Sequence, residues 1–120
     1  MGDRCVVVFA SRGDVSPGVY VHWMGRETPQ HLEEAQGVMR AGDPGYAAAR
    51  YCAHLCSKHP GEIHGVGLQP PPEDLKPETL EEYSHGDAGV VVVDCDTGKV
   101  TGHAGYLSKH VFPDLEMAKG

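Results

Sequence analysis

Cys52, Cys56 and His59 are the residues of this sequence whose types and spacing are most typical of metal ligands. Thiolate and imidazole bind Zn²⁺ readily, and separations of three and four residues place side chains on one face of a helix. The same helical projection puts Cys52 in the middle of an apolar stripe that includes Leu55. A free cysteine in such a stripe packs as a small apolar side chain. No second Cys-x-x-Cys or His-x-x-His pair completes the set, so we favour core packing and keep zinc as an alternative.

His22 is the second candidate, because it lies in a β-branched and aromatic run that predicts a strand. A histidine near a cleft can act as a general base, and Tyr20 and Asp14 are its candidate catalytic neighbours. The simpler interpretation is a hydrogen-bonded histidine at the core or its rim. Trp23, the single tryptophan, is expected to anchor the core. The Gly-x-Ser-x-Gly, Walker and dinucleotide-binding motifs are absent from the sequence, so an enzyme is the less favoured interpretation.

The net charge of −7 is concentrated in one part of the chain. Residues 73–96 contain eight acidic side chains and a single lysine, so this segment carries a net charge of −7 and the remainder is balanced. Focused negative charge repels nucleic acid and favours a basic protein surface. We predict four partner-binding residues in it: Glu78, Glu81, Glu82 and Asp87. The alternative is a solvated surface that only maintains solubility.

The chain length of 120 residues predicts a single domain over residues 1–120. Apolar and β-branched runs predict strands at residues 4–10, 19–24, 63–69, 90–95 and 99–106. Thr28-Pro29 and Asp43-Pro44 are typical helix starts and predict helices over 28–42 and 44–58. Residues 77–83 can form two further helical turns. The last dozen residues lack periodicity and can fray.

This order of elements predicts an α+β fold. We expect a single, mostly antiparallel sheet of four to five strands, with the two mid-chain helices packed on it. The runs at residues 6–8 and 90–93 are apolar on both faces, so they should be neighbouring inner strands.

The sequence also favours a particular compartment. Its purely apolar runs, such as residues 5–10 and 90–93, are far shorter than the roughly 20 residues of a membrane-spanning helix. The apolar stretch at the N-terminus is too short and poorly flanked for a signal peptide. We therefore expect a cytoplasmic protein with four reduced cysteines.

Three stretches together resemble a group of small proteins from high-GC bacteria and their phages and plasmids. They are residues 18–25 (GVYVHWMG), 42–50 (GDPGYAAAR) and 86–98 (GDAGVVVVDCDTG). The resemblance would span nearly the whole chain, and it supplies neither an activity nor catalytic residues. It implies the context of a mobile element, where small acidic proteins often block host machinery, including CRISPR-type defence.

The favoured function is therefore a binding protein, an inhibitor of host defence that acts by protein–protein contact through its acidic surface. Its expected partner is a protein with a basic surface, such as a nucleic-acid-binding complex. We expect neither direct nucleic-acid nor membrane binding and no cofactor, and the oligomeric state stays open. The alternatives are a small hydrolase or small-ligand (nucleotide) binder at His22 and a zinc-stabilised module. A pocket beside His22 would favour the enzyme, and a convex acidic face would favour the binder.

Overall fold

The computed structural model describes residues 2–119 and has an α+β fold built on one six-stranded sheet. The order along the sheet is β4-β3-β1-β5-β6, and the short β2 pairs with the end of β1. The β1–β5 pair is parallel and the other four pairs are antiparallel. The sheet is thus mixed rather than simply antiparallel. The strands are β1 (Cys5–Ser11), β2 (Asp14–Val15), β3 (Gly18–Val21), β4 (Val66–Gln69), β5 (Gly89–Asp94) and β6 (Val100–His103).

The two valine runs are neighbours at the centre of the sheet, as predicted. Val6 pairs with Val90 and Val8 with Val92. Apolar side chains on both faces of a strand are typical of parallel pairs, because such strands are covered on both sides. This pattern accounts for the parallel pairing at the centre of an otherwise antiparallel sheet.

Helices cover both faces of the sheet, not one. α1 (Thr28–Ala35) and α2 (Pro44–Lys58) pack with the face that carries Val7 and Phe9. α3 (Pro77–Tyr83) lies on the opposite face, where the fully buried Leu80 packs with Val6 and Val90. The helix predicted over 77–83 is therefore confirmed.

The two longer helices start near the predicted residues. The Asp43 side chain accepts a hydrogen bond from the Tyr46 backbone N–H at 3.1 Å and caps α2 as predicted. α1 ends at Ala35 rather than at residue 42. The Val38 N–H bonds to the Ala35 carbonyl oxygen three residues back, which tightens the chain and ends the α-helical pattern.

Trp23 is not a core anchor, and Cys52 is not at the centre of the helix stripe. β3 ends at Val21, and the Trp23 side chain is 46% exposed. It rests on the Gly65 backbone, where an added Cβ would lie 2.5 Å from the indole ring. On α2 the buried centre is Tyr51 instead, 1% exposed, with Cys52 half-buried beside it.

The C-terminal segment packs on the same face of the sheet as α1 and α2. Leu115 is buried, and its N–H donates to the Gly98 carbonyl oxygen at 2.9 Å. The Ala118 N–H donates to the Met39 carbonyl oxygen at 2.7 Å. Over residues 2–119, none of the helices has the length and apolar character needed to span a bilayer.

Candidate functional site

The structure brings Tyr20 and His22 together. Tyr20 lies on β3 with its side chain packed on the α3 face of the sheet, and His22 directly follows the strand. The Tyr20 hydroxyl forms a 2.7 Å hydrogen bond with His22 Nδ1. The rings of Tyr20 and His85 pack edge to face with centroids 4.7 Å apart. A cavity of about 320 Å³ opens beside this pair, and it is also lined by Trp23, His64 and residues 65–67.

Asp14 does not join this pair. It pairs with Ser11 at one end of β1, whereas Tyr20 pairs with Val6 five residues away along the same strand. At about 3.3 Å per residue the two places are roughly 16 Å apart. Tyr20 and His22 therefore form a hydrogen-bonded pair without the predicted third member, Asp14.

Of the four predicted acidic residues, three lie on α3 and the fourth forms an ion pair with an arginine. Glu78, Glu81 and Glu82 are exposed on one side of α3, while Leu80 anchors the other side. Asp87 accepts hydrogen bonds from the Arg4 N–H at 3.1 Å and from Arg4 Nε at 2.9 Å. These bonds lower the pKa of Asp87. The three glutamates on α3 therefore present free carboxylates, whereas the carboxylate of Asp87 is occupied.

A groove of about 690 Å³ runs beside α3 and was not predicted from the sequence. One wall is the proline connector at residues 70–72 and the other is α3 itself. Glu73 and Glu82 lie in its lining, and no lysine or arginine occurs among the described residues that form it. The groove is therefore acidic, with apolar surface supplied by the prolines and Tyr83.

Three hydrogen bonds hold the walls of this groove together. The Tyr83 hydroxyl donates to the Pro70 carbonyl oxygen at 2.6 Å, and Gln69 Nε2 donates to the Tyr83 carbonyl oxygen at 3.3 Å. His85 Nε2 bonds to Gln69 Oε1 at 2.7 Å. The groove is preformed, because each wall is bonded to the other without a ligand.

The predicted ligand set of Cys52, Cys56 and His59 is not assembled. The two half-buried cysteines line an apolar cavity of about 410 Å³ with Pro17 and Leu68. The ligand atoms of the three residues do not lie within 4.8 Å of one another, in contrast to a different trio among residues 2–119. The α2 helix ends at Lys58, and the backbone of His59 is not helical, so the helical spacing assumed between His59 and the two cysteines does not hold.

His59 instead meets His31 and Glu27, two residues that the sequence interpretation missed. Glu27 immediately precedes α1, His31 lies one turn into it, and His59 is the residue after α2. The Nε2 atoms of the two histidines are 3.1 Å apart. Glu27 Oε1 lies 3.6 Å from His31 Nε2 and 3.9 Å from His59 Nε2. The available sequence signal was the four-residue spacing of Glu27 and His31, which places them on one helix face.

Three of the four cysteine thiols have raised pKa values and are therefore less reactive. Burial raises the pKa of Cys5 and of Cys95 to about 12, so both remain thiols at neutral pH. Burial, followed by the neighbouring Cys56, also raises the pKa of Cys52. All four cysteines are free, as the sequence predicted.

Comparison of the chain with family models, with curated proteins and with solved structures finds no match.

Proposed function

We propose that the protein binds a basic, partly apolar segment of another protein in the groove between the proline connector and α3. One observation carries the proposal: a preformed groove lies within the segment that holds the excess negative charge of the chain. An exposed acidic helix alone is common. An acidic helix that forms one wall of a groove, with prolines as the other, offers both charge and shape to a ligand.

The distribution of the acidic residues supports this assignment. Asp94 and Asp96 belong to the β5–β6 turn, where Asp94 Oδ1 accepts the Asp96 N–H at 2.8 Å and Asp96 accepts the Ser11 hydroxyl at 2.9 Å. Asp87 is bonded to Arg4. Asp74 accepts the Lys76 N–H at 2.9 Å. The carboxylates of this segment that remain available are those at the groove and on its helix wall: Glu73, Glu78, Glu81 and Glu82.

The lining indicates the chemistry of the occupant. Carboxylates attract lysine and arginine, and exposed charges of this kind increase the association rate more than the affinity. Proline rings and the Tyr83 ring offer apolar contact to the stems of long basic side chains or to an aromatic residue. A segment that alternates basic and apolar residues would satisfy both.

We extend the proposal to a partner whose basic surface otherwise binds nucleic-acid phosphate, such as a complex of host defence. Carboxylates on α3 would then compete with phosphate for the same cations. Inhibition of host defence is the more specific version of this binding proposal. It rests on the charge of the groove and on the resemblance to proteins of mobile elements. It predicts that nucleic acid and this protein exclude each other from the partner.

The groove can be tested with a fluorescein-labelled peptide that alternates lysine or arginine with leucine, and an acidic peptide as the negative probe. Fluorescence anisotropy at low and high salt measures binding. We expect Glu73→Gln/Glu82→Gln to weaken binding roughly threefold or more and to reduce its salt dependence. The matched control is Glu33→Gln/Glu116→Gln, which removes two exposed carboxylates elsewhere. Equal losses in the two double variants would mean that the net charge, and not the groove, attracts the peptide.

A second candidate function is small-ligand binding at His22. The specific observation in its favour is the cavity beside the hydrogen-bonded Tyr20–His22 pair. A Tyr–His pair can exchange a proton with a bound ligand, which is the chemistry of a general acid or base. Saturation of the cavity by a small molecule that shifts the NMR signals of His22, with loss of the shift in Tyr20→Phe, would support this function over the groove.

A further inference from the structure

We propose that Glu27, His31 and His59 form a binding site for one divalent transition-metal ion of the Zn²⁺ type. The site is independent of the acidic groove. It joins the start of α1 to the end of α2, and it has a ligand set different from the cysteine-based one that the sequence suggested.

The separations of the three ligand atoms carry the argument. His31 Nε2, His59 Nε2 and Glu27 Oε1 form a triangle with sides of 3.1, 3.6 and 3.9 Å. The point equidistant from the three atoms lies about 2.1 Å from each of them, as those sides determine. Zn–N bonds are about 2.0–2.1 Å and Zn–O bonds about 2.0–2.2 Å. An ion placed at this point would be at bonding distance from all three atoms.

The donor set selects the class of ion. Two imidazole nitrogens and one carboxylate oxygen suit Zn²⁺ and its neighbours in the first transition series, whereas Mg²⁺ and Ca²⁺ prefer oxygen ligands. The His31 side chain is 1% exposed, and those of His59 and Glu27 are 24% and 43% exposed. One side of the triangle thus faces solvent, where water can take a fourth coordination position.

The charged groups around the triangle are compatible with a cation. Glu62 Oε2 lies 4.0 Å from His59 Nδ1, on the ring atom that points away from His31. At this distance the carboxylate adds negative charge beside the imidazole without a direct hydrogen bond. Lys58 and His54, the neighbouring basic residues, both contact Glu34, whose carboxylate offsets the positive charge of Lys58.

The competing interpretation is a direct hydrogen bond between the two imidazoles. The 3.1 Å separation of their Nε2 atoms suits such a bond when one nitrogen is protonated and the other is not. That interpretation assigns no role to Glu27 Oε1, which lies too far from either nitrogen for a direct hydrogen bond. The two interpretations differ in their response to added metal.

The test uses the full chain, treated with EDTA and then dialysed, and Zn²⁺ alone as the probe. Isothermal titration calorimetry with Zn²⁺ and with Mg²⁺ measures stoichiometry and selectivity, and the absorption spectrum of the Co²⁺ form reports the ligand type. We expect one Zn²⁺ per chain, no Mg²⁺ binding, and a Co²⁺ spectrum without a thiolate charge-transfer band. Zn²⁺ should also raise the melting temperature.

Four variants make the result specific. Glu27→Gln and His59→Gln act on partly exposed ligands, so their fold should survive, and each should weaken Zn²⁺ binding roughly tenfold or more. His110→Gln, at an exposed histidine outside the triangle, should bind as the wild type does. Cys52→Ser/Cys56→Ser should also retain binding.

Several results would overturn the proposal. One is wild-type protein that takes up no Zn²⁺. Another is binding in Glu27→Gln and His59→Gln that equals binding in His110→Gln. Loss of Zn²⁺ in the cysteine variant, together with a thiolate band for Co²⁺, would restore the cysteine ligands and exclude this site.

Discussion

The Tyr83 hydroxyl donates a 2.6 Å hydrogen bond to the carbonyl oxygen of Pro70, and this bond joins the last residue of α3 to the start of the proline connector. The two segments are the walls of the proposed groove. A connector of three prolines is stiff but has no backbone N–H to bind the fold. Its position therefore depends on acceptors such as the Pro70 carbonyl oxygen.

Removal of this hydroxyl should loosen the groove more than it affects the fold. We expect Tyr83→Phe to lower the free energy of unfolding by about 1 kcal/mol, the usual net value of one hydrogen bond. Binding of the basic peptide should weaken in addition, because the connector must be ordered when the peptide binds. Urea unfolding and peptide anisotropy measure the two effects. Tyr46→Phe, at an exposed tyrosine elsewhere, is the control and should leave peptide binding unchanged.

The same tyrosine makes a glycine necessary on β3. A Cβ at Gly18 would lie 2.5 Å from Val6 Cγ1 and even closer to the Tyr83 hydroxyl. We expect Gly18→Ala to destabilise the protein by about 1–3 kcal/mol through overpacking. The control is Gly67→Ala on the adjacent strand β4, where an added Cβ meets no atom within 4 Å. Equal midpoints in urea for the two variants would contradict the assigned position of Tyr83.

Much of the fold follows from local sequence patterns. The valine runs of β1 and β5 predicted two inner strands, and the structure pairs them. Asp43-Pro44 predicted the start of α2, and the Asp43 cap is observed. Such patterns report whether a residue is buried and where a helix begins. They do not report which face of the sheet a helix covers, so the position of α3 opposite α1 and α2 could not be predicted.

The candidate sites depend on contacts between distant residues, which limited their prediction. Tyr20 and His22 are two apart in the predicted strand over residues 19–24, so their contact was predictable from the period of two. His31 and His59 meet only because α1 and α2 pack side by side, and no local spacing relates them. The groove beside α3 likewise depends on where the proline connector returns to the sheet.

The Asp87–Arg4 ion pair should stabilise the fold only while Asp87 is ionised. Hydrogen bonds from the Arg4 side chain, and then from its backbone N–H, lower the pKa of Asp87 from its usual 3.8. Because the folded-state pKa lies below the unfolded-state pKa, the contribution is complete above about pH 4 and is lost as the pH falls through the folded-state value. We expect Asp87→Asn to reduce this acid-dependent loss, measured by urea unfolding at several pH values.

Asn is the suitable replacement for Asp87, because this residue has a φ of +56° and Asn tolerates the left-handed region. Asp114→Asn is the control, since Asp114 is exposed and forms no hydrogen bond within residues 2–119. The slope of stability with pH should remain that of the wild type in this control. A similar slope in Asp87→Asn would show that the ion pair contributes nothing in solution.

Reversal of the charges on α3 is expected to slow binding of the basic peptide without unfolding the protein. Glu78, Glu81 and Glu82 are exposed, and Leu80 alone is the buried residue of this helix. Substitution of all three glutamates by Lys therefore leaves the apolar contact of α3 with the sheet intact. Exposed charges act mainly on the association rate. We expect several-fold slower association by stopped-flow fluorescence, and added salt should slow the wild type toward the rate of the variant.

The control for this variant carries the same change in net charge at another place. Glu33, Asp114 and Glu116 are exposed acidic residues outside the groove, and their joint replacement by Lys also raises the net charge by six units relative to the wild type. If position matters, this control associates faster than the α3 variant at the same ionic strength, and circular dichroism shows both folded. Equal rates in the two triple variants would mean that the acidic helix is a solubility device, and the His22 cavity would become the favoured functional site.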